Sequence, residues 1–231
     1  MLRVFCCIAV LFGAAEGGLA NTPAALSPRA VEASPRPVAR TESLPPARWG
    51  DSGPAAIWSR AALAALRSHA GVLPRTVPRD IETWCPAYES GDREQREAFW
   101  IGLVSALAKH ESTFRPHAVG GGGKWFGLLQ ILPATARGYG CRARSGGALK
   151  DGALNLSCAL RIMSVTVPRD GVISHRMRGV AADWGPFHSR SKRQDMATWI
   201  RKQSYCTGLA RSLRPVARPA TRLALRTVGA R

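Results

Sequence analysis

The stretch REQREAFWIGLVSALAKHES, Arg93 to Ser112, constrains the fold more than any other part of the sequence, because it has the pattern of one long helix. Asp92 and Glu94 stand near its start, where acidic groups complement the positive end of a helix dipole, and Ser90 is placed to cap it. Trp100, Leu103, Val104 and Leu107 recur at three- and four-residue steps, and the same line continues to Glu111 and then Phe114. That stripe is the face a helix buries. A carboxylate in line with it loses hydration, which disfavours the charged form and pushes the pKa upward. Glu111 is therefore a candidate to keep a proton near neutral pH and to donate it to a leaving oxygen.

Other segments point the same way. Ala55 to Leu73 is rich in alanine and leucine and reads as one helix, ended by Pro74 and Pro78. Shorter helices are expected at 133–138, 153–165, 177–184 and 193–204. No run of alternating polar and apolar residues predicts a large sheet. The fold class expected is mainly α with glycine-rich connections. After Glu111 comes Ser112, whose hydroxyl is placed to orient the carboxyl. The loop FRPHAVGGGGKWFGLLQILPATA then supplies four consecutive glycines, the aromatics Trp125 and Phe126, and Gln130 set among Leu128, Leu129 and Ile131. An amide among aliphatic side chains needs a partner. His110 and His117 flank the glutamate but have no nucleophile or metal partner at a suitable spacing.

The ends of the chain read differently. Residues 1–20 have one early arginine, an apolar run too short to span a bilayer, and small residues up to Ala20, the layout of a cleavable secretory signal. Cys6 and Cys7 lie inside that run and are expected to leave with it. Residues 21–54 are rich in proline and alanine and read as a tether. Residues 55–79 form a helical lead-in, 80–206 the compact domain, and 207–231 a tail holding six arginines and no acidic residue. The formal net charge of +18 suits a polyanionic environment, and the tail is a candidate handle for an anionic wall or membrane surface. Export and the lack of an aromatic-basic motif argue against nucleic acid. Four cysteines remain after export, which allows three pairings. Cys85 with Cys206, tying the ends of the domain, and Cys141 with Cys158 inside it are the pairs expected in an oxidising compartment. Nothing resembles a zinc site, and neither metal nor cofactor is expected.

AKHESTFRP, then FGLLQILPATA, then NLSCALRIM together resemble the soluble lytic transglycosylase family of peptidoglycan-cleaving enzymes, whose domains are lysozyme-like. The family's glutamate-serine motif falls on Glu111 and Ser112, its glycine-leucine-methionine-glutamine-isoleucine turn on Gly127 to Ile131, and its later asparagine on Asn155. The resemblance covers about 80–206. Leu129 replaces the usual methionine with little change of volume. AADWGPF stands where the family has an alanine-tyrosine segment, so Trp184 keeps an aromatic wall and Asp183 replaces the tyrosine.

The resemblance implies that Glu111 protonates the glycosidic oxygen between N-acetylmuramic acid and N-acetylglucosamine and then, as a base, closes a 1,6-anhydro ring. Ser112, Gln130 and Asn155 would orient the substrate acetamido group or the glutamate, and Phe126 and Trp184 would pack on sugar faces. Asn155 is equally placed as a helix cap. The partner implied is the peptidoglycan glycan strand, acted on by a monomer in the periplasm or outside the cell. Two alternatives stand beside this: a goose-type hydrolytic muramidase with Asp151 or Asp183 activating water, and a wall-binding module without chemistry.

Overall fold

Residues 43–208 are described in a computed structural model of the chain, and they form seven α-helices and one short hairpin. The helices are α1 (Pro54–Leu66), α2 (Ile81–Trp84), α3 (Arg93–Glu111), α4 (Pro133–Gly138), α5 (Gly152–Asp170), α6 (Arg190–Arg201) and α7 (Ser204–Thr207). Between α3 and α4, β1 (Val119–Gly120) pairs antiparallel with β2 (Trp125–Phe126), Val119 opposite Phe126 and Gly120 opposite Trp125. The signal (1–20), the tether up to residue 42 and the tail from residue 209 lie outside the described residues.

α3 is the axis of the fold. Every residue from Glu97 to Ala108 is buried, so the helix has no solvent face through its middle and the other elements surround it. Its start is fixed by a capping box: Gln95 N–H donates to the Asp92 carboxylate and Asp92 N–H to the Gln95 side chain, both at 2.8 Å. Ser90, expected as the cap, instead donates its hydroxyl to the Ala87 carbonyl. Glu97 is buried in the first half of α3 and paired with Arg67 at 3.1 Å and Arg93 at 2.9 Å. Phe99 and Trp100 pack edge-on, Phe99 meets Tyr88 in the same way, and Trp100 Nε1 donates to the Tyr88 hydroxyl.

Three expected elements differ. The helix predicted over 55–73 stops at Leu66: Ser68 bonds back to the Ala64 carbonyl, Gly71 is a poor helix former, and the turn lets Ala70 and Leu73 both reach the core. The predicted 153–165 helix runs on to Asp170, because Pro168 falls in the last turn and costs one backbone bond, and Gly171 closes the end at φ 67°. The predicted helix over 177–184 is absent. Its place is taken by 3-10 turns at His175–Met177 and Gly179–Ala182. The N–H groups of Ile173, Ser174 and His175 are bound by the Asp80 carboxylate and that of Gly179 by Asp170. Those carboxylates hold the chain in a curve that a helix would straighten.

Residues 43–79 are packed onto the same body instead of leading up to it. Arg48 N–H donates to Ser105 Oγ on α3, Trp49 Nε1 donates to Ser59 Oγ, and Trp49 meets Trp58 edge-on. α1 lies against α5, where a side chain at Gly152 would collide with Trp58. Cys85 is bonded to Cys206, 121 residues later, and Cys141 to Cys158, 17 residues later, the two pairs expected from the sequence.

Candidate active site

The chain leaves α3 abruptly. Ser112 N–H and Phe114 N–H both bond to the Ala108 carbonyl, at 3.1 and 3.4 Å, and Thr113 and Phe114 take φ values of 53° and 60°. Glu111 is thus the last helical residue, at the negative end of the helix dipole, where a carboxylate is disfavoured. Its side chain faces a cleft of about 420 Å³. One wall is the end of α3, another the hairpin with Gly120, Gly121 and Trp125. Gln130, the turn from Asp183 to Pro186, and Lys192 of α6 complete it. Burial pushes the Glu111 carboxyl up to about 7, with the Lys192 ammonium pulling the other way. No described residue donates a hydrogen bond to it.

The hairpin is built by glycine. Gly121, Gly122 and Gly123 take φ values of 55°, 64° and 91°, and a side chain on Gly121 would run into the Trp125 ring. After β2 the chain folds back on itself: Phe126 and Ile131 exchange N–H bonds at 3.1 and 3.0 Å around a turn from Gly127 to Gln130. Asn155, fully buried on α5, holds that turn. It accepts from Leu129 N–H at 2.9 Å and donates to the carbonyls of Phe126 at 2.9 Å and Leu149 at 3.0 Å. A side chain on Gly127, at φ 84°, would collide with Asn155.

The residues singled out from the sequence divide accordingly. Gln130 lines the cleft, its Nε2 donating to Ala118 and Gly127 carbonyls at 3.2 and 2.9 Å while its Oε1 accepts nothing from a described residue. Trp184 lines the cleft and is pinned by an Nε1 bond to the Leu129 carbonyl at 2.9 Å. Three residues differ from their expected roles. Ser112 is buried with its hydroxyl bonded to the Ala108 carbonyl, so it does not orient the glutamate. Asn155 is buried away from the cleft lining and does not cap its helix, since Asp151 caps α5 by accepting from Leu154 N–H. Phe126 points away, its ring against Gly146 and beneath Lys150, because neighbouring residues on a strand face opposite sides. The exposed aromatic at the cleft is Trp125.

Asp183 also lines the cleft. Desolvation pushes its carboxyl upward, Arg169 opposes this, and Asp170 adds to it. Three residues that matter here were not picked out from the sequence, where His110 reads as a bystander: His110, Lys192 and Asp195. His110 lines the cleft and bonds Asp195 at 2.7 Å. Helical spacing places Lys192 and Asp195 on one face of α6, but nothing in the sequence says that this face meets α3. Among the described residues no cluster of His, Cys, Asp and Glu could hold a metal ion.

Residues 89–172 match the family model described as the transglycosylase SLT domain. Among solved structures, wild-type Bd0314 DslA (form 2) is 27% identical with a TM-score of 0.64, covering 71% of this chain and 99% of that one. Two mutants of the same protein, each with a glutamate replaced by glutamine, give TM-scores of 0.65 and 0.63 at 27% and 26% identity with the same coverage. No curated protein matches the sequence.

Proposed function

We propose, from the premise that residues 89–172 form a transglycosylase SLT domain, that the chain is a lytic transglycosylase acting on peptidoglycan with Glu111 as its single acid and base. The observation that carries this reading is a glutamate at the end of a buried helix, in an open cleft, shifted by burial to about 7 and held by no hydrogen bond from a described residue. At that value the carboxyl is shared between its two forms near neutrality, which is what a group that must both give and take a proton requires.

Glu111 gives its proton to the glycosidic oxygen between N-acetylmuramic acid and N-acetylglucosamine, and the C1–O bond breaks as the muramic acetamido oxygen assists at C1. The resulting carboxylate then takes the proton of the muramic C6 hydroxyl, whose oxygen attacks C1 and displaces the acetamido oxygen. The product is a 1,6-anhydro ring, no water is consumed, and Glu111 is protonated again. Gln130 Oε1 is placed to accept from a substrate N–H or hydroxyl, and Trp125 and Trp184 offer faces and edges to the sugar rings. The strand reaches the enzyme after export, consistent with the two disulfides.

A second reading has its own support. Asp183 lines the same cleft, so a hydrolytic muramidase with Asp183 activating water is the rival, whereas Asp151 is occupied in capping α5. Digestion of purified sacculi followed by mass spectrometry separates the two: anhydro-muramic ends support the lytic reaction and reducing ends the hydrolytic one. Glu111→Gln is expected to abolish muropeptide release under either chemistry with the fold intact by circular dichroism. Turnover retained in that variant would refute Glu111 as the acid, and no release by the native protein would leave a wall-binding module.

A further inference from the structure

Asp195 on α6 is the meeting point of two cationic side chains and a histidine. Arg48 donates to its two carboxylate oxygens at 2.6 and 2.9 Å, and Lys109 Nζ lies 3.3 Å from both. His110 Nε2 is 2.7 Å from Oδ2. The backbone N–H of Arg48 also bonds Ser105 Oγ at 2.8 Å, so the segment before α1 is fixed to α3 and α6 together. Lys109 and His110 are the two residues immediately before Glu111, and His110 lines the cleft with it. Arg48 and Asp195 both lie outside the matched segment 89–172.

We propose that Asp195 is a positioning residue for Glu111: by gathering Arg48, Lys109 and His110 it fixes the last turn of α3 and balances positive charge beside the cleft carboxyl. The inference rests on Glu111 being the reacting acid. A cation close to a carboxyl favours its ionised form, and an anion opposes that. Of the titratable groups, His110, Asp183 and Lys192 line the cleft with Glu111, and Lys192 is the one charge felt by its carboxyl in the native protein. Lys109, Arg48 and Asp195 meet one another at the last turn of α3, through Lys109 and the neighbouring His110. Asp195 is ion-paired with Arg48 and Lys109, whereas Lys192 has no carboxylate within ion-pair distance among the described residues.

Without the Asp195 charge, the positive charge of Arg48 and Lys109 is unopposed, Glu111 ionises at lower pH, and the acid form thins at neutrality. Removing Arg48 has the opposite sign, since Asp195 then carries negative charge with one counter-ion fewer. Removing both restores the balance. A role confined to stability predicts no such alternation, because losing both partners would damage the fold at least as much as losing one.

The test uses the full chain, with Glu111 followed by 13C NMR of its carboxyl and activity followed on soluble glycan strands. Asp195→Asn is expected to lower the Glu111 midpoint and the alkaline limb of the rate profile by about one pH unit. The same variant should lower kcat at pH 7 by roughly fivefold, with KM little changed. Arg48→Met is expected to raise the midpoint, and the double variant to return it toward the native value. Unchanged midpoints in both single variants, or a double variant no closer to native than Asp195→Asn, would overturn the proposal. If Asp195→Asn does not fold, Arg48→Met alone decides by the sign of its shift. If the native protein releases no muropeptide, the lytic reading fails on the rate measurement while the NMR titration still decides the role of Asp195.

Discussion

Glu111 carries its proton at a cost to the fold. Its native pKa, about 7, lies above the ordinary 4.5, so between those two pH values the folded protein binds a proton that the unfolded chain has released. Stability therefore falls as pH rises through that window and stays lower above it, by at most about 2–3 kcal/mol after allowance for partial exposure. Glu111→Gln removes the titration and keeps the shape. The variant is expected to melt higher than the native protein at pH 8 and level with it at pH 4. Thermal unfolding at the two pH values measures this directly, and a difference independent of pH would mean that the carboxyl is not shifted by burial. The raised value was legible in the sequence, because the position of Glu111 on the stripe of Trp100, Leu103, Val104 and Leu107 already implied lost hydration. The opposing Lys192 was not, since it comes from a helix that begins 79 residues further on, at Arg190.

At the scale of elements, the turn after β2 depends on one side chain. Asn155 satisfies Leu129 N–H and the carbonyls of Phe126 and Leu149, the first and last of them away from water, and Trp184 hangs from the Leu129 carbonyl. Asn155→Ala leaves Leu129 N–H and the Leu149 carbonyl unpaired and strips the Phe126 carbonyl of one of its two donors, Ile131 N–H being the other, and is expected to cost about 2–4 kcal/mol, read as a lower urea midpoint. It should also reduce muropeptide release well below what the lost stability explains, because Gln130 and Trp184 lose their support together. A variant that is destabilised but fully active would show that the turn does not need this clamp. The sequence marked Asn155 as important and left its role open between substrate contact and cap. Instead it clamps a turn, because two of its partners, Phe126 and Leu129, lie 29 and 26 residues earlier, and that meeting is made by tertiary packing. The hairpin illustrates the same limit. Trp125 and Phe126 are adjacent, and only the strand register decides which of them faces the cleft.

At the scale of the whole molecule, helix content followed from periodicity, while the central place of α3 and the extent of the body did not: a stripe implies one buried face, and Glu97 to Ala108 are buried all round. Composition made residues up to 54 a tether, yet Arg48 and Trp49 are bound into the fold by partners that composition cannot weigh. The disulfides bear on the same question of extent. Cys85–Cys206 closes a loop of 121 residues around the whole of the matched segment 89–172, and Cys141–Cys158 closes one of 17. A cross-link limits the unfolded chain more when its loop is longer, which gives about 5 kcal/mol for the first and about 3 kcal/mol for the second. Replacing Cys85 and Cys206 by serine should therefore lower the denaturation midpoint more than replacing Cys141 and Cys158. The second bond sits beside α4 and the start of α5, so its loss is expected to loosen that corner and leave α3, with Glu111, in place. Urea unfolding of both double variants gives the order, and hydrogen exchange of the α3 amides tests the second point. Equal midpoints would mean that loop length does not set the contribution of these bonds, and faster exchange of α3 in the Cys141 and Cys158 variant would mean that the short loop also holds the central helix.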